Sequence, residues 1–203
     1  MSKRLVIRLG LKCNNNCPFC IFGDEKNETD RRNRTSREIM RILDSSRDYK
    51  NLVLTGGEPC LRRDIIKLVL HARSRGYKQI QLQTNGRMLS YKKLCTDFID
   101  AGVNEFALAI HGHNSKIHDR LTQANGSFMQ TLSGIENLKK LDQYVITNTV
   151  ITKINYKNIP KIAKLLVLLG IEHFQFSFVH IIGNAWKNRK WLIPKKTEVI
   201  PYV

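Results

Sequence analysis

Six strand-like segments alternate with helix-like ones along the 203 residues, and this order predicts an α/β fold built on a parallel sheet with helical crossovers. A second observation shapes the sheet. In three of the strands one face is apolar and the other small or polar, whereas a flat doubly wound sheet is apolar on both faces. That asymmetry predicts outer helices around an inner cavity: a partial (β/α)6 barrel of the TIM type. Third, no linker or low-complexity stretch divides the segments, so residues 1–182 read as one domain.

The elements follow in order. "RLVIRLG" (4–10) is a strand. "TSREIMRILDSS" (35–46) is a helix opened by Thr35 or Ser36, with Glu38 placed for a capping box. "NLVLT" (51–55) is a strand, and 62–76 a helix ending at Gly76. Strand 79–84, helix 90–102, strand 105–112, helix 126–141, strand 144–151, helix 158–170 and strand 173–181 complete the alternation. Residues 183–203 read as the start of a C-terminal extension, with no terminal cap, which predicts a truncated chain.

Strand parity assigns the faces. Ile80 and Leu82 oppose Gln81, Gln83 and Asn85, and Phe106, Leu108 and Ile110 oppose Ala107, Ala109 and His111. Phe174, Phe176 and Phe178 oppose Gln175 and Ser177. The polar and small sets are expected in the lumen.

Composition narrows the function classes. "MSKRLVIRLG" has too short an apolar core for a signal peptide, and no apolar run has the length of a membrane span, so the sequence predicts a soluble, cytoplasmic protein. The formal charge of +17 sits at 31–34, Arg62–Arg63, Lys67 to Arg75, 187–190 and Lys195–Lys196. These clusters read as solvated helix faces in preference to a nucleic-acid surface, because no aromatic residues are seen interleaved with them.

Five cysteines, an odd number, exclude a simple disulfide framework, and three of them fall in "CNNNCPFC" (13–20). Cys13, Cys17 and Cys20 give three thiolates where a closed zinc site takes four ligands. A fourth ligand from Cys60, Cys95 or a histidine would complete a zinc site. Alternatively, three cysteines hold an iron–sulfur cubane with one iron left open.

The spacing C-x3-C-x2-C, with an aromatic residue before the last cysteine, resembles the signature of radical S-adenosylmethionine (radical SAM) enzymes. "GGEP" (56–59) after the second strand and "TNG" (84–86) after the third match it as well. The resemblance covers essentially the whole chain and is nearest to the molybdenum-cofactor protein A and peptide-maturase group. It implies that Cys13, Cys17 and Cys20 ligate a [4Fe–4S] cluster whose open iron takes the amino and carboxylate groups of S-adenosylmethionine. Phe19 would pack near the adenine. Gly56 and Gly57 would bring backbone to the methionyl ammonium, with Glu58 as counter-charge. Gln83 and Asn85 would contact the methionyl or ribose part, as would Asn148 on the fifth strand. Ala109 stands where many relatives have serine.

The implied activity is reductive cleavage of S-adenosylmethionine to a 5′-deoxyadenosyl radical that takes hydrogen from a substrate, peptide or small metabolite. A flavodoxin or ferredoxin would supply the electron. Each motif has a plainer reading: "TGGEP" as a strand-to-helix turn, and Asn85-Gly86 as a hairpin, against which the helix that follows argues. Of His111, His113, His118 and His180, His111 is the candidate for metal binding or proton shuttling, being lumen-facing by parity. Cys60 and Cys95 read as small buried hydrophobes. The competing function is a non-catalytic, zinc-stapled nucleic-acid-binding module.

Overall fold

The computed structural model describes residues 3–23 and 33–203. Part of the basic cluster at 31–34 therefore lies outside the described residues. Six parallel strands, β1 (Arg4–Arg8), β2 (Asn51–Thr55), β3 (Gln79–Thr84), β4 (Glu105–Ala109), β5 (Val145–Ile151) and β6 (His173–Phe178), pair in sequence order to form one sheet. The predicted α/β architecture is the one observed, with helices between successive strands. β1, β4 and β6 end two or three residues earlier than expected, because the chain leaves the ladder where the loops begin.

The helices are α1 (Ser36–Ser45), α2 (Ile65–Ser74), α3 (Lys92–Ala101), α4 (Ser115–Thr122), α5 (Ser127–Lys140), α6 (Ile159–Leu168), α7 (Asn184–Leu192) and the short α8 (Lys196–Val199). The capping box of α1 is present: Glu38 N donates to Thr35 Oγ1 at 3.3 Å, and Thr35 N to Glu38 Oε2 at 2.6 Å. The structure adds α4, where the sequence suggested only a histidine-bearing loop. Its start is signalled by Asn114, whose side chain accepts from Ile117 N at 3.1 Å. A 3-10 turn at Arg87–Ser90 follows "TNG" and leads into α3, so Asn85-Gly86 does not form a hairpin.

The parity argument holds on β3 and β4. Ile80, Leu82, Phe106, Leu108 and Ile110 are buried in one core with Leu43, Leu68, Phe98 and Leu138 from the helices. Gln81, Gln83, Ala107, Ala109 and His111 line the cavity on the other side. β6 follows the pattern for Phe176; Phe174 packs on the core but also lines the cavity, and Phe178 is exposed and lines it too. A second apolar cluster joins Phe19, Leu121, Ala185 and Leu192. Residues of α7 are thus packed against the cysteine loop rather than set apart from the 1–182 unit.

α5 runs close beneath the turn at 87–90. A Cβ on Gly134 would lie 2.5 Å from the carbonyl oxygen of Gly86 and 3.1 Å from Leu89 Cβ. Alanine is the better helix former by about 1 kcal/mol, yet Gly134→Ala is expected to destabilise the protein by about 1–3 kcal/mol through overpacking. A lowered urea midpoint checks this, and an unchanged or raised midpoint would refute the tight contact.

Candidate active site at the carboxyl ends of the strands

Two glycines bring the β2 loop onto the chain that leads to the cysteines. Gly57 N donates to Gly10 O at 2.8 Å, and Glu58 N to Lys12 O at 2.7 Å. A Cβ on Gly57 would stand 2.4 Å from both Leu11 O and Lys12 O, and one on Gly56, where φ is +145°, would stand 2.4 Å from Gly10 O. Only glycine permits this backbone-to-backbone approach. The pair therefore has a structural duty in addition to any contact with a ligand.

Glu58 is not where the sequence expectation put it. It is 3% exposed and turned away from the large cavity. Its Oε1 accepts from Cys60 N at 3.0 Å and Thr84 Oγ1 at 2.6 Å, and its Oε2 from Asn85 N at 2.7 Å. Burial pushes its carboxyl above the ordinary range while these bonds pull the other way. Both oxygens are engaged inside the protein, so the side chain ties the end of β2 to the end of β3.

Cys13, Cys17 and Cys20 are partly exposed cysteines on one loop, and all three line the cavity. Asn15 N lies 3.4 Å from Cys13 Sγ and Asn85 Nδ2 3.9 Å from it, N–H groups that favour a thiolate. Asn85 Nδ2 also donates to Asn14 Oδ1 at 2.7 Å. Arg87, which sequence reasoning missed, donates through Nη1 to Asn15 Oδ1 at 3.0 Å and to the carbonyl of Asn14. From the other side Asn16 N donates to Thr122 O at 2.8 Å. α7 closes the frame: Asn184 Nδ2 donates to Cys17 O at 3.2 Å and Asn188 Nδ2 to Pro18 O at 3.0 Å. The signal for these two was the i, i+4 spacing of Asn184 and Asn188 on one helix face.

Among the described residues no three His, Cys, Asp or Glu side chains gather tightly enough for a single metal ion. A four-iron cubane instead takes separate thiolates on separate irons, and three partly exposed thiols around one opening suit it. Cys60 and Cys95 are buried: Cys60 is held well above the ordinary thiol range and Cys95 is pushed up to about 11, in both cases chiefly by burial. They occupy the core, and neither lines the cavity.

The cavity, of about 950 Å³, runs from the cysteine loop down the lumen to Arg4 and Glu105 at the opposite end. Phe19, Gly56, Gly57, Gln83, Asn85, Asn148 and His111 all line it. Asn148 Oδ1 accepts from Gln175 Nε2 at 3.1 Å and Ser177 Oγ at 2.6 Å, which fixes the orientation of its amide. Phe19 meets the His111 ring edge-on at 4.8 Å between centroids. His180 is exposed and also lines this cavity.

His111 Nδ1 accepts from Val150 N at 3.3 Å, so the ring hydrogen sits on Nε2. Burial, with a smaller effect from His118, lowers its pKa to about 3. The ring is thus held neutral near pH 7. A correction concerns the basic cluster at 187–190. Trp186 and Trp191 flank it, 56% and 45% exposed, and Arg189 stacks 4.1 Å over the Trp186 ring, so aromatic residues do accompany that charge.

The sequence profile of the Radical SAM superfamily matches residues 7–166, and the chain belongs to that superfamily. An AdoMet-dependent heme synthase of Methanosarcina barkeri is 31% identical over 175 residues, 85% of this chain and 49% of that protein. A PqqA peptide cyclase of Rhodopseudomonas palustris is 27% identical over 201 residues, 96% of this chain and 52% of that protein. The chain thus spans about half the length of these relatives. Among solved structures, Streptococcus suis SuiB bound to S-adenosylmethionine superposes with a TM-score of 0.73 at 19% identity, covering 89% of this chain and 41% of that one. SuiB bound to its precursor peptide SuiA gives 0.75 at 20% identity, over 89% and 40%. At those identities the likeness is one of fold, and it is that of the partial barrel.

His118, like His111, is held neutral by burial, with a pKa of about 4. Both folded values lie below the ordinary 6.5, so the unfolded chain takes up protons first. Their contribution to stability is complete above pH 6.5 and is lost as the pH falls through about 4 for His118 and about 3 for His111. Urea midpoints measured down that range are expected to fall, and His111→Asn is expected to fall less steeply. Parallel curves for the two proteins would show that His111 is not buried neutral.

Proposed function

We propose that this protein is a radical SAM enzyme that cleaves S-adenosylmethionine reductively and takes hydrogen from a substrate held in the barrel lumen. The observation that carries the reading is the meeting, at one end of one cavity, of three partly exposed thiols with the glycine backbone of the β2 loop. Active sites of parallel barrels lie at the carboxyl ends of the strands, as here.

Cys13, Cys17 and Cys20 would hold a [4Fe–4S] cluster. The cluster and S-adenosylmethionine, when bound, supply one-electron cleavage of a carbon–sulfur bond and a carbon-centred radical. The protein's part is binding and exclusion of water. The Gly56–Gly57 backbone would face the methionyl end. Asn148, its amide oriented by Gln175 and Ser177, would donate to the ribose or carboxylate. Phe19 would give its face to the adenine, and Asn85 would steady both the cofactor and the cysteine loop. Glu58 would act by holding the ends of β2 and β3 in register instead of meeting the ammonium directly.

A low-potential flavodoxin or ferredoxin is the electron donor in this reading, and the substrate is a peptide or small metabolite, in keeping with the relatives' names. Residues 183–203 would then begin a region that covers the barrel. No helix among the described residues is long and apolar enough to cross a membrane. The zinc-stapled alternative loses support because, among the described residues, no three His, Cys, Asp or Glu side chains gather tightly enough to hold a metal ion, and neither Cys60 nor Cys95 lines the cavity with the loop thiols.

The test is anaerobic reconstitution with iron and sulfide. Wild type is expected to bind about four irons per chain and, with dithionite, to release 5′-deoxyadenosine. Each of Cys13→Ala, Cys17→Ala and Cys20→Ala is expected to lose the brown absorbance and that release together. Cleavage retained by any of the three, or wild type that binds zinc without iron, would overturn the proposal.

A further inference from the structure

Glu105 lies low in the lumen, 4% exposed, and both its carboxylate oxygens accept amide N–H groups from the neighbouring strand. Gln79 Nε2 donates to Oε2 and Gln81 Nε2 to Oε1. An ionised carboxylate has no hydrogen to give, so it dictates which end of each amide faces it. Gln81 must turn its NH2 towards Glu105, and its Oε1 is left to point away. There Gln83 Nε2 donates to it at 3.0 Å. The constraint passes on one more step. One N–H of the Gln83 amide is engaged by Gln81, which fixes the amide's orientation, and its Oε1 has no hydrogen bond among the described residues.

Gln83 is the exposed member of this row and lines the cavity. It stands level with Ala107 on β4, and Ala109 lies one pleat higher, so small side chains leave room in front of it. Hydrogen bonds in a chain polarise one another, and a negative charge at the foot strengthens the acceptor at the tip.

We infer that Glu105, Gln81 and Gln83 form a relay of fixed polarity that presents Gln83 Oε1 to the substrate, and that it selects substrates offering an N–H donor, amide or ammonium, at mid-lumen. A substrate carbonyl or carboxylate placed against that oxygen finds no hydrogen there and gains no bond, whereas an N–H does. Gln83 is then a specificity residue, not the cofactor contact expected from its place before "TNG". Asn85 and Asn148, nearer the cysteine loop, remain with the cofactor. The inference rests on reading the lumen as the reaction chamber.

The test uses two small probes of nearly the same shape, N-methylacetamide and methyl acetate, of which only the first carries an N–H. Each is titrated into the full chain carrying 15N-labelled glutamine side chains, without cluster or S-adenosylmethionine. The Gln83 amide signal is identified by its loss in Gln83→Leu. N-methylacetamide is expected to shift that signal with an affinity about fivefold higher than methyl acetate, the worth of one net hydrogen bond.

In Glu105→Gln the foot of the relay can donate as well as accept, the amides are free to reverse, and the preference is expected to vanish. Gln81→Leu cuts the relay while Gln79 still caps Glu105, and it decides the matter should Glu105→Gln fail to fold. Equal response to both probes in wild type, or an unchanged preference in a folded variant, overturns the relay. Because the probes bind without the cofactors, a lost preference beside intact S-adenosylmethionine cleavage defeats the relay alone. An intact preference with no cleavage defeats the radical reading alone.

Discussion

A buried carboxylate with three donors holds the working end of the barrel together. Glu58 takes hydrogen bonds from the backbone of Cys60 and Asn85 and from the hydroxyl of Thr84, joining the end of β2 to the end of β3. The glycines just before it join the same loop to residues 10–12 through backbone contacts. Three strand ends are thereby fixed to one another before any ligand arrives. The cysteine loop grows from the first of them and Asn85 from the third, so their separation is set by the protein core. A carboxylate buried with fewer donors would carry a desolvation cost that nothing offsets.

The barrel was legible because parallel strands with one polar face leave a period-2 trace that helices do not. "QIQLQ" is the clearest case: Ile80 and Leu82 lie in the core, and Gln81 and Gln83 line the cavity. The motifs were legible for a different reason, since cysteine spacing and paired glycines are chemically specific. Other features had no such trace. α4 hides among histidines and asparagine that read as loop. Arg87, Asn184 and Asn188 act on the cysteine loop over separations of 72 to 170 residues, and beyond the i, i+4 spacing of the two asparagines nothing local marks them. Glu58 shows the opposite failure, because a charged residue beside two glycines invited a ligand contact, while three protein donors had already claimed it.

The cysteine loop shows how a segment without regular structure is held still. Asparagines and an arginine from the β3 turn and α7 meet its backbone carbonyls and side chains, the Thr122 carbonyl on α4 accepts from Asn16 N, and Phe19 anchors it in a small core with Leu121, Ala185 and Leu192. Loops need such partners, since their own backbone groups find few within the segment. α7 is thus a structural member of the site, although it follows the last strand.

The contrast among the five thiols has a consequence for maturation. Burial keeps Cys60 and Cys95 protonated and out of reach, while the loop thiols are partly open to solvent and amide N–H groups face Cys13. Under the proposed function, iron delivered to the folded chain would meet three accessible sulfurs, with the two core cysteines out of reach. The core, by hiding them, would proofread the assembly of a centre it never touches.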